Sequence, residues 1–222
     1  MLLAIDTSTR SIGIALLKDE RILGEMTWES HSHHTVELAP AVSNLLASSG
    51  LSLNDLEAVG VAIGPGSFTG LRIGLAFAKG ILLSHACTLI GVPTLDIIAR
   101  ALPPGAYRLA AVLEAGRGRL AVGWYKAEDM QWKRTGKYEN LTVLELRNRI
   151  RRKTLVCGEL SRESRKVLAR KYKNVKLPGA AACVRRPAVL AELAWEKVLE
   201  GQADNPAALS PIYLHHGQPI PE

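Results

Sequence analysis

Hydrophobic and polar residues recur along the chain with two different periods, and the changes between them divide the first hundred residues into strands and helices. Short apolar runs separated by polar turns predict three antiparallel strands, at residues 2–5, 11–17 and 22–28. From about 35 to 48 the apolar residues recur at helical spacing, and Gly50 follows as a stop signal. The pattern then predicts a buried strand at 56–63, a helix at about 71–85, a strand at 88–91 and a helix at about 94–101. This order predicts a mixed sheet covered by helices.

The second half of the chain repeats this plan in a weaker form. Pro103-Pro104-Gly105 marks a boundary between two lobes. Beyond it the pattern predicts strands at 107–113, 120–126, 131–135, 154–157 and 174–177, and helices at 143–150, 162–171 and 188–200. We therefore expect two related α/β lobes, residues 1–102 and 103–222, with the C-terminal tail returning to the first lobe.

Composition places the chain among globular proteins. Hydrophobic residues make up 47% and charged residues 22% of the chain, which excludes a disordered protein. No apolar run reaches membrane-spanning length, and the first residues do not follow the plan of a secretory signal peptide. We therefore expect a cytoplasmic protein without membrane association. Three dispersed cysteines without a Cys-x-x-Cys pair predict neither a disulfide framework nor a cysteine zinc site.

The polar turn between the first two predicted strands is the first candidate for chemistry. It consists of Asp6, Thr7, Ser8 and Thr9. An acid and small hydroxyl residues at a β-turn can hold a phosphate or a metal–nucleotide through backbone N–H groups and hydroxyls. The same residue types also favour an ordinary hairpin turn. Both interpretations, a vestigial nucleotide loop and a plain turn, stay open at this point.

The stretch Gly64–Gly74 leads into the long helix. It is neither a P-loop nor a dinucleotide fingerprint, because the Gly-Lys-Ser/Thr ending and the required glycine spacing are missing. Ser67 or Thr69 can cap the helix. Small residues at intervals of four form a ladder along one helix face, and the remaining faces are mostly apolar. A helix that is apolar nearly all round must be buried on further sides, within its domain or by a partner.

We interpret this helix as part of a protein interface, shared with the helix at 35–48. The ladder of small residues would let another helix approach closely. Burial inside this chain is the alternative. The residues expected at the interface are Leu38, Val42, Leu45, Gly70, Ile73, Gly74, Phe77, Ala78 and Ile81.

A third segment, His31-Ser32-His33-His34 with Glu37 nearby, raises the question of a metal site. His33 and Glu37 would share a helical face, which is adequate geometry for a metal. A site needs more than two ligands, and no further acid or histidine is evident. We expect a polar lead-in to the helix and no metal site.

These segments resemble the TsaB/YeaZ family in order and spacing. The resemblance rests on Ile5–Thr9, His31-Ser32, Gly64–Gly74, Ala78–Gly80 and Gly91-Val92, and beyond residue 100 it thins to Glu114–Gly118 and Pro211–Leu214. It implies a two-lobed, actin-like and sugar-kinase-like (ASKHA) ATPase fold. It also implies a heterodimer with the catalytic paralogue TsaD and recruitment of the ATPase TsaE. Together these attach a threonylcarbamoyl group to adenosine 37 of tRNAs that read codons starting with A.

The resemblance also bears on catalysis. TsaD carries a metal-binding His-x-x-x-His after a Gly-Val pair, and Thr94 and Ile98 stand at those positions here. Neither side chain can replace a neutral imidazole as a metal ligand. We therefore expect no catalytic residues and no metal or other cofactor, but a scaffold that dimerises with TsaD. When TsaD is absent, a homodimer through the same helix surface is a hypothesis, and a monomer is the alternative. The alternative is an independent nucleotide-dependent kinase or hydrolase of the actin-like class, using Asp6 and the turn at 7–9.

The net charge of +7 is accompanied by many basic residues in the second lobe. They are Arg147, Arg149, Arg151, Arg152, Lys153, Arg162, Arg165, Lys166, Arg170, Lys171 and Lys173. Solvated helix faces would explain them, and so would phosphate contacts to a tRNA held mainly by the catalytic partner. A stand-alone RNA-binding module is less well supported, because Tyr172 is the only aromatic residue in the basic segments that could stack on a base.

Overall fold

The computed structural model describes residues 1–30 and 34–214. The chain divides into two compact units. Among the described residues, one unit comprises Met1–Ile97 and Arg185–Ile212, and the other comprises Ile98–Val184 with Tyr213 and Leu214. The residues from 185 to 212 therefore belong with the N-terminal strands, although they follow residues 98–184 of the second unit in the sequence.

Most of the described chain lies in short strands and helices. The strands are β1 (Leu2–Asp6), β2 (Ser11–Lys18), β3 (Arg21–Glu29), β4 (Ala58–Ala62), β5 (Thr88–Val92), β6 (Arg108–Glu114), β7 (Arg119–Glu128), β8 (Gln131–Arg134), β9 (Glu139–Thr142), β10 (Thr154–Gly158) and β11 (Val175–Lys176). The helices are α1 (His34–Ser48), α2 (Phe68–Ser84), α3 (Thr94–Arg100), α4 (Val143–Arg149), α5 (Arg162–Ala169) and α6 (Pro187–Leu199). Short 3-10 helices span Leu53–Asp55 and Ala180–Cys183. Within these two described ranges, no helix is both long and apolar enough to cross a membrane.

The first unit is built on a mixed five-stranded sheet with the order β3-β2-β1-β4-β5. β1, β2 and β3 are antiparallel neighbours, whereas β4 is parallel to β1 and β5 is parallel to β4. Parallel neighbours need a crossover connection, and α2 supplies the one from β4 to β5. The predicted order of three strands, helix, strand, helix, strand, helix is confirmed.

Helices cover both faces of this sheet. Neighbouring residues of a strand point to opposite faces, and β1 is buried on both. Leu3 and Ile5 belong to the core that contains residues of α1 and α2, whereas Leu2 and Ala4 belong to the core under α6. A strand buried on both faces gives a continuous apolar run in the sequence, as observed at residues 2–5.

The second unit repeats this plan on its own sheet. Its strand order is β11-β10-β6-β7-β8, and β9 pairs with β7. β6 and β7 form an antiparallel hairpin, which β10 and β11 continue as parallel strands. α4 and α5 contribute to the core on one face of this sheet. The sequence analysis missed β9, a four-residue strand that includes Glu139 and Asn140, because these residue types give a weak strand signal.

Two of the three cysteines meet in the second unit. All three are free, and the Sγ atoms of Cys157 and Cys183 are 3.6 Å apart. Burial, together with the neighbouring Cys183 thiol, raises the pKa of Cys157 to about 12. Cys157 is therefore a protonated thiol at neutral pH. The sequence separation of 26 residues gave no indication of this contact.

Candidate functional site

The polar turn between β1 and β2 is closed by an arginine from the C-terminal part of the first unit. Arg185 Nε donates to Asp6 Oδ2 at 2.7 Å, and the two side chains are only 2% and 4% exposed. The same guanidinium donates to Thr9 Oγ1 and to the Ser11 carbonyl, each at 2.9 Å. Asp6 Oδ1 accepts the Ser8 amide at 2.8 Å. Both carboxylate oxygens of Asp6 are therefore engaged within the unit.

The hydroxyl groups of the turn are engaged as well. Thr7 Oγ1 donates to the Gly70 carbonyl at 2.7 Å. Ser8 Oγ and Thr94 Oγ1 form a hydrogen bond of 2.8 Å, and the Ser8 carbonyl accepts the Ser67 amide at 2.6 Å. The turn at residues 6–9 is thus tied to the first turn of α2, to the start of α3 and to Arg185.

The glycine-rich stretch before α2 lets the chain pass close to this turn. A Cβ added to Gly66 would lie 2.4 Å from the Ser8 carbonyl oxygen, so only glycine fits there without displacement of the backbone. Ser67 Oγ accepts the Gly70 amide at 3.2 Å, which confirms the prediction of a helix cap at Ser67 or Thr69. In the structure, this stretch serves to pack α2 against the turn between β1 and β2.

The ladder of small residues on α2 also faces this turn. A Cβ on Gly70 would lie 2.2 Å from the Thr7 carbonyl oxygen, and one on Gly74 would lie 2.2 Å from Thr7 Oγ1. Ala78 is fully buried in the core of the first unit. These findings correct the interpretation of the ladder as the place where a second helix approaches, because Thr7 of the same chain already fills that place. For Gly70, Gly74 and Ala78 the alternative, burial inside this chain, holds.

The other residues expected at the interface lie at different depths. Leu38, Val42, Leu45 and Ile81 are buried in the core of the first unit, whereas Ile73 and Phe77 are half-buried and pack against it. A groove of about 610 Å³ runs between α1 and α2. Its apolar lining comprises Val42, Leu46, Leu51, Leu53, Phe77 and Ile81. On the same two helices, Val36 and Phe68 are exposed, and Leu83 is 92% exposed.

The sequence placed Thr94 and Ile98 where metal-binding histidines stand in TsaD. Thr94 is fully buried, and its Oγ1 accepts the Gly64 amide at 3.0 Å in addition to its bond with Ser8. Ile98 is buried as an apolar side chain. Across the described ranges, no group of three or more His, Cys, Asp or Glu residues could hold a metal ion.

The histidine-rich segment before α1 is described only in part, because His31, Ser32 and His33 lie outside the described residues. His34 Nε2 lies 3.0 Å from the Thr9 carbonyl oxygen. Glu37 Oε2 accepts a hydrogen bond from Trp28 Nε1 at 3.0 Å. Glu37 thus binds a tryptophan side chain. Whether His33 and Glu37 share a metal stays a hypothesis, because His33 lies outside the described residues.

Curated relatives match somewhat more than half of the chain. The tRNA threonylcarbamoyladenosine biosynthesis protein TsaB of Escherichia coli (strain K12) is 35% identical over 130 residues, which are 58% of this chain and 56% of the relative. TsaB of Bacillus subtilis (strain 168) is 34% identical over 125 residues, 56% of this chain and 55% of the relative. Residues 21–144, more than half of the chain, match the family model of TsaD, tRNA N6-adenosine threonylcarbamoyltransferase. The chain belongs to the TsaD family, and within it to the TsaB/YeaZ proteins.

The sequence match of this TsaB/YeaZ protein is partial, whereas the likeness in fold extends over nearly the whole chain. The matched segment spans about half the length of the two TsaB relatives. The structure of YeaZ from Pseudomonas aeruginosa is 23% identical, with a TM-score of 0.75 over 96% of this chain and 99% of that one. ROK hexokinase from Thermus thermophilus gives a TM-score of 0.52 at 11% identity, over 89% of this chain and 99% of that one. These likenesses confirm the expected actin-like, sugar-kinase-like fold.

Proposed function

We propose that this TsaB/YeaZ protein acts in tRNA threonylcarbamoyladenosine biosynthesis as a non-catalytic scaffold in the cytoplasm. It dimerises with TsaD and activates it, and the two together recruit TsaE. The complex then modifies adenosine 37 of tRNAs that read codons starting with A. Membership of the TsaD family and the names of the two TsaB relatives support the pathway.

The ion pair between Asp6 and Arg185 is the observation that supports a non-catalytic role most directly. An actin-like kinase or hydrolase would need Asp6 and the hydroxyls at 7–9 for Mg²⁺ and ATP phosphates. Here the buried guanidinium of Arg185 already neutralises Asp6. A metal–nucleotide would have to displace it and leave a buried charge unpaired, which costs about 3–5 kcal/mol. The donor set of this turn therefore does not fit a metal–nucleotide.

The positions of Thr94 and Ile98 argue against the metal-dependent transferase in the same way. Both side chains are buried, one in hydrogen bonds to Ser8 and Gly64 and the other in apolar contacts. Neither offers an imidazole, which is the ligand type this position supplies in TsaD. The transfer chemistry is therefore assigned to the partner.

The groove between α1 and α2 is the surface that we assign to TsaD. Exposed large apolar side chains near an apolar groove are typical of protein interaction sites. The two helices that form this groove carry Val36 on α1 and Phe68 and Leu83 on α2 as exposed side chains, and Leu83 directly precedes Ser84 of the groove lining. Val42, Phe77 and Ile81 from the expected interface line this groove, whereas the small residues of the ladder are buried beneath it in the first unit. The segment that matches the TsaD family model, residues 21–144, includes both α1 and α2, so we expect TsaD to carry corresponding helices. A second copy of this chain can pair there isologously when TsaD is absent.

Size-exclusion chromatography with light scattering, on this chain alone and mixed with its cognate TsaD, tests the proposal. The variant Leu83→Arg changes a side chain that is 92% exposed, so the fold is retained. Leu199→Arg is the matched control, because Leu199 is a 68% exposed leucine on α6 of the same unit. We expect a 1:1 complex with wild type and with Leu199→Arg, and at least about tenfold weaker binding with Leu83→Arg, since an arginine there is buried unpaired in the complex.

Two other results would contradict the proposal in different ways. Equal binding by Leu83→Arg would move the interface away from α2 and leave the scaffold role standing. A wild-type chain that forms no complex with TsaD would overturn the scaffold role. Calorimetry with Mg²⁺-ATP then addresses the alternative, since ATP binding and turnover by the isolated chain would show a kinase or hydrolase.

A further inference from the structure

The charge of the chain is divided very unevenly between its two units. Residues 98–184 contain 20 lysines and arginines and 7 aspartates and glutamates, a net charge of +13. The rest of the chain contains 8 lysines and arginines and 14 aspartates and glutamates, a net charge of −6. The net charge of +7 therefore conceals a strongly basic second unit. Such an asymmetry is typical of a surface that attracts polyanions.

Within the second unit, two basic stretches that are separate in sequence converge on one edge of the sheet. Lys171 Nζ donates to the Arg147 carbonyl at 2.8 Å, and Asn174 Nδ2 donates to the Arg151 carbonyl at 3.4 Å. These bonds hold the loop after α5 against the last turn of α4 and the loop that follows it. The amide of Arg108 donates to the Lys153 carbonyl at 3.1 Å, which adds the first residue of β6.

This edge lies at the amino ends of three parallel strands. The register pairs Thr154 of β10 with Arg108 of β6 on one side and with Val175 of β11 on the other. The loops that lead into these strands therefore lie side by side. We call this surface the basic edge, and its cations are Arg108, Arg149, Arg151, Arg152, Lys153, Lys171 and Lys173.

Acidic residues do not cancel the basic edge. Glu139 forms an ion pair with Arg149, which accounts for one cation. Between residues 147 and 176 the chain contains two acids, Glu159 and Glu163, and both follow the carboxyl end of β10, at the opposite side of the sheet. Arg108, Arg151, Arg152 and Lys153 are exposed. Repulsion among them is relieved when an anion binds between them.

A small pocket lies at the centre of the basic edge. It has a volume of about 120 Å³ and is lined by Arg108, Arg149, Arg151, Arg152 and Trp124 among others. Guanidinium groups bind phosphate oxygens in a bidentate manner, which makes arginine the preferred residue for phosphate recognition. The pocket is therefore built for a group of the size and charge of a phosphate.

Aromatic side chains lie within reach of the same surface. Trp124 is half-buried in the wall of the pocket, and its Nε1 donates to Glu139 Oε2 at 3.3 Å, which fixes the indole. Tyr172 is exposed between Lys171 and Lys173. Aromatic faces beside a cationic track are the usual means of holding single-stranded RNA, because every base can stack on them. Trp124 was not predictable as part of this surface, because it comes from β7 and lies outside the basic segments of the sequence.

We propose that the basic edge binds the phosphate backbone of RNA, with one phosphate in the pocket and its neighbours on the surrounding cations. In the assembled modification complex that RNA is the substrate tRNA, an assignment that rests on the proposed function. The site thus gives this chain a direct part in substrate binding, in addition to its contact with TsaD.

The test compares two double substitutions that change the charge of the same unit equally. Arg151→Glu with Arg152→Glu alters the basic edge, whereas Arg162→Glu with Lys166→Glu alters exposed residues of α5 away from it. Fluorescence anisotropy with labelled tRNA measures the affinity of each complex with TsaD over a series of salt concentrations. Light scattering first verifies that each variant still forms the complex.

We expect the basic-edge variant to bind tRNA at least about tenfold more weakly, with a log K against log salt slope smaller by about two, since each lost phosphate contact lowers the slope by about one. The α5 variant binds as wild type does. Unchanged tRNA binding by the basic-edge variant would overturn the inference, and so would an equal loss in both variants. Displacement of tRNA by millimolar inorganic phosphate would also overturn it, because the site would then serve a free anion.

The tests of RNA binding and of the proposed scaffold role can fail independently. If the basic-edge variant forms a complex with TsaD but binds tRNA as wild type does, the inference fails and the scaffold role stands. If wild type forms no complex, the scaffold role fails. The same two variants, measured as the full chain alone with tRNA, then decide the inference by the same criteria.

Discussion

Asp6 and Arg185 are 179 residues apart in the chain and form a buried ion pair of 2.7 Å. The pair holds the end of β1 against the segment that leads into α6. It therefore joins the first strand of the unit to its last helix. The net gain from a buried ion pair is small, because both charges lose their hydration. Loss of one partner alone is costly, because the other charge remains buried without compensation.

Replacement of Arg185 by methionine is therefore expected to lower the free energy of unfolding by about 3–5 kcal/mol. The variant leaves Asp6 buried and also removes a donor from Thr9 Oγ1. Urea unfolding followed by circular dichroism measures the loss. In the double variant Asp6→Asn with Arg185→Met we expect part of the stability to return. A loss of less than about 1 kcal/mol, the size typical of a surface pair, would show that this ion pair has no special role.

The close approach of Gly74 to Thr7 gives a second prediction. Gly74→Ala places a Cβ about 2.2 Å from Thr7 Oγ1, and the resulting displacement is expected to destabilise the protein by about 1–3 kcal/mol. Gly80→Ala on the same helix is the matched control, because a Cβ there meets no atom within 4 Å apart from the helix's own backbone and the neighbouring residues. That control should gain up to about 1 kcal/mol from helix propensity. Equal effects in the two variants, read from urea unfolding, would contradict the packing of α2 against the turn.

Glu25 of β3 gives a prediction about pH. Burial acts to raise the pKa of Glu25, but hydrogen bonds from Arg186 and from the Ala188 amide outweigh it, so the pKa lies below the usual value for glutamate. The lowered pKa means that the ionised carboxylate stabilises the folded state. This contribution is complete above the unfolded pKa of about 4.3 and is lost as the pH falls through the lower folded value.

The comparison of wild type with Glu25→Gln measures this contribution. We expect wild type to have the higher melting temperature at neutral pH, and the difference to shrink once the pH falls below about 4.3. Differential scanning calorimetry over a series of pH values measures both proteins. A difference that stays constant down to acidic pH would show that ionised Glu25 does not hold Arg186 and the start of α6.

The order of elements in the first hundred residues was predictable, because the apolar residues of each element have a clear spacing and polar or glycine residues mark where it ends. The β1 run at residues 2–5 is apolar on both faces, and Ser67 is a typical cap. The neighbour against which the small residues of α2 pack was not predictable. Small residues allow close approach of any neighbour, and only the fold shows that the neighbour is Thr7, more than sixty residues earlier.

Long-range pairings account for most of what the sequence analysis missed. Nothing near Arg185 indicates that its partner is Asp6, since the charge pattern of a chain does not encode contacts 179 residues apart. The basic residues of the second unit were visible, but their convergence depends on the register of β6, β10 and β11. Trp124 joins them only because β7 lies beside β6.

The late position of α6 in the sequence affects how the protein folds during synthesis. Its Leu190, Ala191 and Ala194 cover a face of the sheet formed by the first strands, including Leu2 and Ala4. During synthesis, that face therefore stays uncovered until α6, which ends at Leu199, has also been made. Such late, non-local closure slows folding and leaves apolar surface open to aggregation. A nascent chain that stops after the second unit is expected to depend on chaperones, and to be degraded if it is released.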